Sequence, residues 1–161
     1  MKPTLFLRIA SVLTFLFCAG HTIGGVFGNP APGVQAFVVQ TMKANAFDAM
    51  GSRRTWWDFN IGYGLLVSVT LLVHAILFWH LGNLVKTEGP RLRMILALLF
   101  VEFAAQAPIA GRYFFIGPCV LSILIAACLA VAFFTAGRGI APVLEYARGE
   151  ASDPRRTRVP A

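Results

Sequence analysis

Four long apolar stretches alternate with short polar connections along the chain, over about 5–27, 56–81, 91–109 and 115–136. At 1.5 Å rise per residue each can cross a hydrocarbon core of about 30 Å, the third near the lower limit. The pattern predicts an all-α polytopic membrane protein. Its expected form is a four-transmembrane-helix bundle making one domain over 1–137, followed by a basic cytoplasmic tail over 138–161 that reads as disordered at its end. Arg8 interrupts the first stretch close enough to its end to snorkel into headgroups. The first stretch could also be a secretory signal, but Phe17 before Cys18 spoils a lipoprotein site and no A-x-A pattern follows, so it is read as a helix.

Local punctuation sets the expected boundaries. Gly82 and the cluster Thr87-Glu88-Gly89-Pro90 should break the second helix from the third, with Pro90 in the first turn of the new helix, where its missing N–H would be unpaired anyway. Pro108, Gly111, Gly117 and Pro118 bracket a tight connection around Arg112. The 28–55 segment is long for a helix–helix connection, which is typically about 2–8 residues. After a rigid Asn29-Pro30-Ala31-Pro32-Gly33 opening, Val34, Phe37, Val38 and Thr41/Met42 recur at helical spacing, predicting a short extracytoplasmic amphipathic helix between helices 1 and 2.

Composition agrees with the pattern: 57% of the residues are hydrophobic and 13% charged, with a mean hydropathy of +0.70, against about 45–50% and 25% in soluble domains. A soluble monomer of this length could not hide the excess. The net charge of +7 would suit nucleic acid if it formed a patch, but it lies in termini and short connections, so no nucleic-acid partner is expected. Ten Lys and Arg fall on the side of the termini and the connection carrying Lys86, Arg91 and Arg93, against four on the other, Lys43, Arg53, Arg54 and Arg112. The positive-inside rule then puts both termini in the cytoplasm, in a bacterial inner membrane. Cys18, Cys119 and Cys128 sit singly inside apolar runs, signalling neither a disulfide framework nor zinc.

Ionisable and polar side chains inside such helices are where function is sought, because burying them costs at least about 2–3 kcal/mol unless they are paired. Glu102 lies near the middle of the third stretch, with Gln106 one turn away on the same face. It is either a proton-donating acid or a neutral side chain that bonds helices together. In the first stretch Ser11, Thr14, Cys18, His21 and Gly25 form a small-and-polar stripe that should face the interior, with His21 either active or a satisfied interhelical histidine. Gly20, Gly24 and Gly28 make overlapping GxxxG spacings, a route to close helix packing or a homo-oligomer. Asn60 and Tyr63 belong to the outer half, and His74, about 21 Å deeper than Asn60, is set apart from them and read, with His80, as structural. Trp57 and Asp58 lie at the outer boundary, where Asp58 either pairs with Arg53, Arg54 or Arg112 or serves as a helix-start anion. Thus Glu102 and His21 are the candidate catalytic pair, and Asn60, Tyr63, Gln106, Asp58 and Trp57 the candidate ligand-binding set. No metal site or cofactor is signalled, and no Ser-His-Asp, phosphate-loop or HExxH pattern occurs.

The run from Lys43 through Phe47-Asp48-Ala49-Met50-Gly51-Ser52-Arg53-Arg54-Thr55-Trp56-Trp57-Asp58-Phe59-Asn60-Ile61-Gly62-Tyr63-Gly64, preceded by Gly20-His21-Thr22-Ile23-Gly24, resembles an uncharacterised bacterial family of short four-helix integral membrane proteins. The likeness is best over the first half and implies a specific structural element leading into Trp56, but no reaction. The layout is also loosely similar to DoxX-like proteins and to the sterol-isomerase and sigma-2 receptor bundles, a likeness of architecture alone. Beyond the bilayer itself, the expected partner is a hydrophobic small molecule. The readings that follow are a membrane protein binding a lipid-like or isoprenoid-like molecule in an outer-half cavity, an intramembrane acid–base isomerase or cyclase, or a structural or accessory subunit of a membrane complex. A transporter is disfavoured, since neither repeats nor broken helices are evident.

Overall fold

A computed structural model describes residues 2–137; the expected basic tail over 138–161 lies outside the described residues. Helix makes up 83% of the described residues, as the all-α reading requires. Helix α1 (Pro3–Gly20) begins with proline in its first turn. It runs directly into a π-helical segment, His21–Val26, in which Phe27 N donates to Thr22 O at 3.0 Å. Helix α2 is Val34–Ala44, the short helix expected from the spacing of its apolar residues, although none of its residues is buried.

Between α2 and the next helix stands an element the hydropathy pattern did not foretell. Strands β1 (Ala46–Ala49) and β2 (Ser52–Thr55) pair antiparallel. Their two-residue turn puts Met50 at φ 51° and Gly51 at φ 82°, the pair of positive angles that a type I′ hairpin needs. Asp48 Oδ1 accepts from Gly51 N at 2.7 Å and braces the turn.

Helix α3 (Trp56–Tyr113) spans 58 residues. Straight, it would reach about 87 Å, far more than a bilayer. Its backbone instead leaves helical geometry at Glu88 (φ −112°, ψ 21°) and folds back, so that arm 56–87 lies beside arm 89–113. Gly82 does not break the helix, contrary to expectation. It is buried in the first arm, where a side chain would meet Leu7 and Arg8 of α1. The turn falls at Glu88 because Gly89 can approach the backbone of Gly137 closely: a Cβ there would stand 2.9 Å from Gly137 N. Arg91 Nη1 donates to Glu88 Oε2 at 2.9 Å across the turn. Pro108 is accommodated within the second arm, and α4 (Ile116–Thr135) closes the described chain.

α1, both arms of α3 and α4 pack around one core in which Leu7, Phe78, Leu96, Phe103, Ile125 and Leu129 are fully buried. Three helical stretches, Pro3–Val26, Trp56–Tyr113 and Ile116–Thr135, are long and apolar enough to cross a membrane. Within the chain no helix packs against Gly20 or Gly24: side chains added at either would meet nothing within 4 Å, and one at Gly28 would strike the Gly24 carbonyl. Gly64, like Gly82 and Gly89, does stand at a close approach: a Cβ there would lie 2.8 Å from Val26 Cγ2.

Candidate functional site

The polar stripe of the first helix turns inward as far as His21, while Gly25 is exposed, and Ser11, Cys18 and His21 make an antiparallel ladder with the first arm of α3. Ser11 Oγ donates to Ala75 O at 2.7 Å and Cys18 Sγ to Ser68 O at 3.3 Å. Thr22 Oγ1 donates to Ser68 Oγ at 2.8 Å. At the far end His21 Nε2 lies 3.0 Å from Gly64 O; a carbonyl only accepts, so Nε2 carries the proton. His21 is thereby tied to a backbone carbonyl of its neighbour. At the opposite end Arg8 does not snorkel freely. Its guanidinium stacks 3.4 Å above the Trp79 ring, and Nη2 donates to Asn83 Oδ1 at 2.7 Å.

The structure gives Glu102 one expected partner, Gln106, and one unexpected partner, His74. His74 Nε2 stands 3.3 Å from Glu102 Oε2, and Gln106 Nε2 donates to Glu102 Oε1 at 3.2 Å. His21 belongs to the level of Gly64 and Glu102 to that of His74, ten residues further along the first arm, so about 15 Å of helix separates the two levels. The pair Glu102 and His21 is therefore not a single site, and Asn60, of the candidate ligand-binding set, lies further still toward the start of α3. The signal for His74 was present in the sequence: it stands fourteen residues before Glu88, and Glu102 fourteen after. A chain that folds back at that residue brings them level.

The imidazole of His74 stacks on Phe78 and meets the edge of Phe103, at 5.9 and 5.6 Å between ring centroids. These rings close the inner side of the cluster. The His74 side chain is 14% exposed and that of Glu102 37%, so the carboxyl borders the outer surface between the two arms. His74 Nδ1 is buried and, among the described residues, has no hydrogen-bond partner. The arrangement therefore holds an acid, a base and an amide in one hydrogen-bonded row, bounded by aromatic rings, with unused capacity on the amide and on the ring.

The boundary residues make a separate site. Thr55 and Asp58 form a reciprocal cap at the start of α3: Asp58 N donates to Thr55 Oγ1 at 3.1 Å, and Thr55 N to Asp58 Oδ2 at 2.7 Å. Asp58 is thus the helix-start anion rather than an arginine's partner. Trp57 is half-buried beneath Lys43, whose Nζ is 4.6 Å from the ring centre. Phe47, Trp56, Phe59 and Tyr63 pack ring against tilted ring from the hairpin onto α3. Beside them an open groove of about 440 Å³ runs between hairpin residues Ala49, Ser52 and Arg54 and helix residues Asp58, Phe59, Gly62, Tyr63 and Leu66. Of the expected ligand-binding residues, this groove gathers Asp58 and Tyr63. Gln106 belongs to the Glu102 cluster, Asn60 is exposed, and neither Asn60 nor Trp57 lines the groove. Compared with protein-family models, curated proteins and solved structures, the chain finds no match.

Proposed function

We propose that the chain is a four-helix integral membrane protein of the bacterial inner membrane that binds a small lipid-like molecule, with the polar end of that ligand held at Glu102 and Gln106. Membrane placement is supported by how the apolar surface lies: in the most apolar window of each candidate span only 22–28% is buried by protein, leaving the rest for lipid. The observation that carries the ligand site is the row His74, Glu102 and Gln106. It lies midway along both arms, with the carboxyl facing outward between them. In hydrocarbon a carboxyl with this exposure is costly unless something with a hydrogen-bonding head covers it. A mainly apolar molecule with one oxygenated end satisfies that requirement with few polar groups.

The test is lipid extraction and mass spectrometry of the purified protein, followed by rebinding of the species found. Glu102→Gln keeps shape and hydrogen bonding and should retain affinity within about threefold, whereas Glu102→Leu should lose about tenfold, the worth of one hydrogen bond of roughly 1.4 kcal/mol. Equal binding by both variants would remove Glu102 from the site. Protein that carries no lipid and rebinds none would leave a structural or assembly role as the better account.

The 3.3 Å contact between His74 and Glu102 favours a second reading, an intramembrane acid–base enzyme in which His74 takes the part expected of His21. Glu102 would give a proton to one position of the substrate while His74 takes one from another and passes it back to Glu102 through that contact, so the isomerisation closes with no net proton change. Glu102→Gln that binds normally but loses turnover supports this reading.

The ten-to-four distribution of Lys and Arg supports an orientation with the termini and the Glu88 turn in the cytoplasm and the 28–55 segment outside. In a cysteine-free background, Gln40→Cys in intact cells should react with a membrane-impermeant maleimide and Lys86→Cys should not. The opposite labelling would reverse the topology.

A further inference from the structure

The groove beneath the hairpin, separate from the Glu102 cluster, carries its own ligand chemistry. Phe59, Gly62, Tyr63 and Leu66 recur at i, i+3, i+4 and i+7 and so form one strip along the first arm. Arg54 stands at the hairpin end of that strip. The groove therefore runs from a guanidinium to a lipid-facing leucine, the same order of polarity as a phospholipid from headgroup to acyl chain.

Charge decides the headgroup. Asp58 lines the groove, but its carboxylate is engaged with Thr55 in the helix cap. Arg54 makes a hydrogen bond to the Arg53 carbonyl at 3.0 Å and, among the described residues, no ion pair. Lys43, Arg53, Arg54 and Arg112 outnumber Asp48 and Asp58 at this end of the molecule. A planar guanidinium with free donors matches phosphate oxygens bidentately. The neighbouring rings do not form a cage for a choline: Phe47 packs at 4.6 Å from Trp56 and 5.6 Å from Phe59, leaving no gap for an ammonium between them.

We propose that this groove seats one anionic phospholipid of the outer leaflet, its phosphodiester on Arg54 and one acyl chain along the strip from Phe59 to Leu66. Gly62 makes room for that chain. A Cβ added there would meet nothing within 4 Å, so a larger side chain would fill the groove without striking the fold. The proposal rests on the membrane placement above and not on the Glu102 site.

Native mass spectrometry of the detergent-solubilised protein, titrated with phosphatidylglycerol or phosphatidylcholine of identical chains, tests it. Phosphatidylglycerol should bind at least fivefold more tightly. Arg54→Gln should abolish that preference, and Gly62→Leu should weaken the binding of both lipids about tenfold. Arg53→Gln, which removes the same charge one residue away, should keep the preference. Equal affinity for the two lipids, the same loss in Arg53→Gln as in Arg54→Gln, or unchanged binding in Gly62→Leu would each overturn the proposal. Full competition by soluble glycerol phosphate would also overturn it, by assigning the site to a free anion. A protein that stays soluble without detergent would defeat the membrane placement, whereas a detergent-dependent protein with no headgroup preference defeats this inference alone.

Discussion

Replacing His74 by Leu should lower the stability of the detergent-solubilised protein by about 1–2 kcal/mol, and replacing Glu102 by Leu as well should recover part of that loss. His74 Nε2 and Glu102 Oε2 are 3.3 Å apart on facing arms, so the single change leaves the carboxyl with Gln106 as its one remaining side-chain partner. Interhelical hydrogen bonds inside membranes are worth up to about 1.7 kcal/mol. Stranding a partly buried polar group adds to the cost, whereas removing both members of a pair also removes the need to satisfy either. The check is a double-mutant cycle on unfolding in mixed micelles. Additive losses from the two single variants would mean that the contact carries no coupling, and the joint acid–base role would lose its basis with it.

A second large effect is expected at Gly64. A methyl group there would stand 2.8 Å from Val26 Cγ2, in the place where the π-helical segment meets the first arm and where His21 bonds the Gly64 carbonyl. Gly64→Ala should cost about 1–3 kcal/mol, as overpacking does. Val26→Ala in the same chain should restore most of it by removing the obstructing methyl. Gly62→Ala, two residues earlier and facing open space, should be neutral or slightly stabilising, since alanine is the better helix former. Thermal unfolding of the three variants would decide the matter. A Gly64→Ala protein as stable as the parent would show that the two helices can separate there without loss.

The contrast between Gly64 and the expected GxxxG glycines shows how far spacing could be read. Gly20, Gly24 and Gly28 have the periodicity of a packing face, yet the neighbouring helix is not against Gly20 or Gly24. Periodicity tells which residues share a face, and only packing tells what that face meets. The stripe Ser11, Cys18 and His21 was a better guide. Each of these polar groups needs a partner inside an apolar medium, and the first arm supplies one for each.

The hairpin at 46–55 was hidden for a local reason. Its turn is Met50-Gly51, without the asparagine or aspartate that usually marks a type I′ turn, and Met50 takes a positive φ that its side chain disfavours. Phe47 packing on Trp56 and Phe59 supplies tertiary contacts that local propensity does not register.

Hydropathy and spacing along the chain suffice for the helical class, for the ends of the apolar stretches to within about four residues except at 81, where the helix runs on to 87, and for the inward stripe of the first helix. Each depends on hydropathy and on backbone hydrogen bonding that a helix satisfies within its own segment. Which polar residues share a level depends on how the helices pack. Expecting breaks at both Gly82 and 87–90 left the register between the two arms undefined by more than a helical turn, enough to move Glu102 from one neighbour to another. Close packing of Gly89 against Gly137, and of Gly82 against Leu7 and Arg8, puts the reversal at Glu88. With the turn there, Glu102 stands opposite His74 rather than level with His21. The reason is physical: a helix carries its own periodicity in its residues, but the register between two helices is a property of their contact.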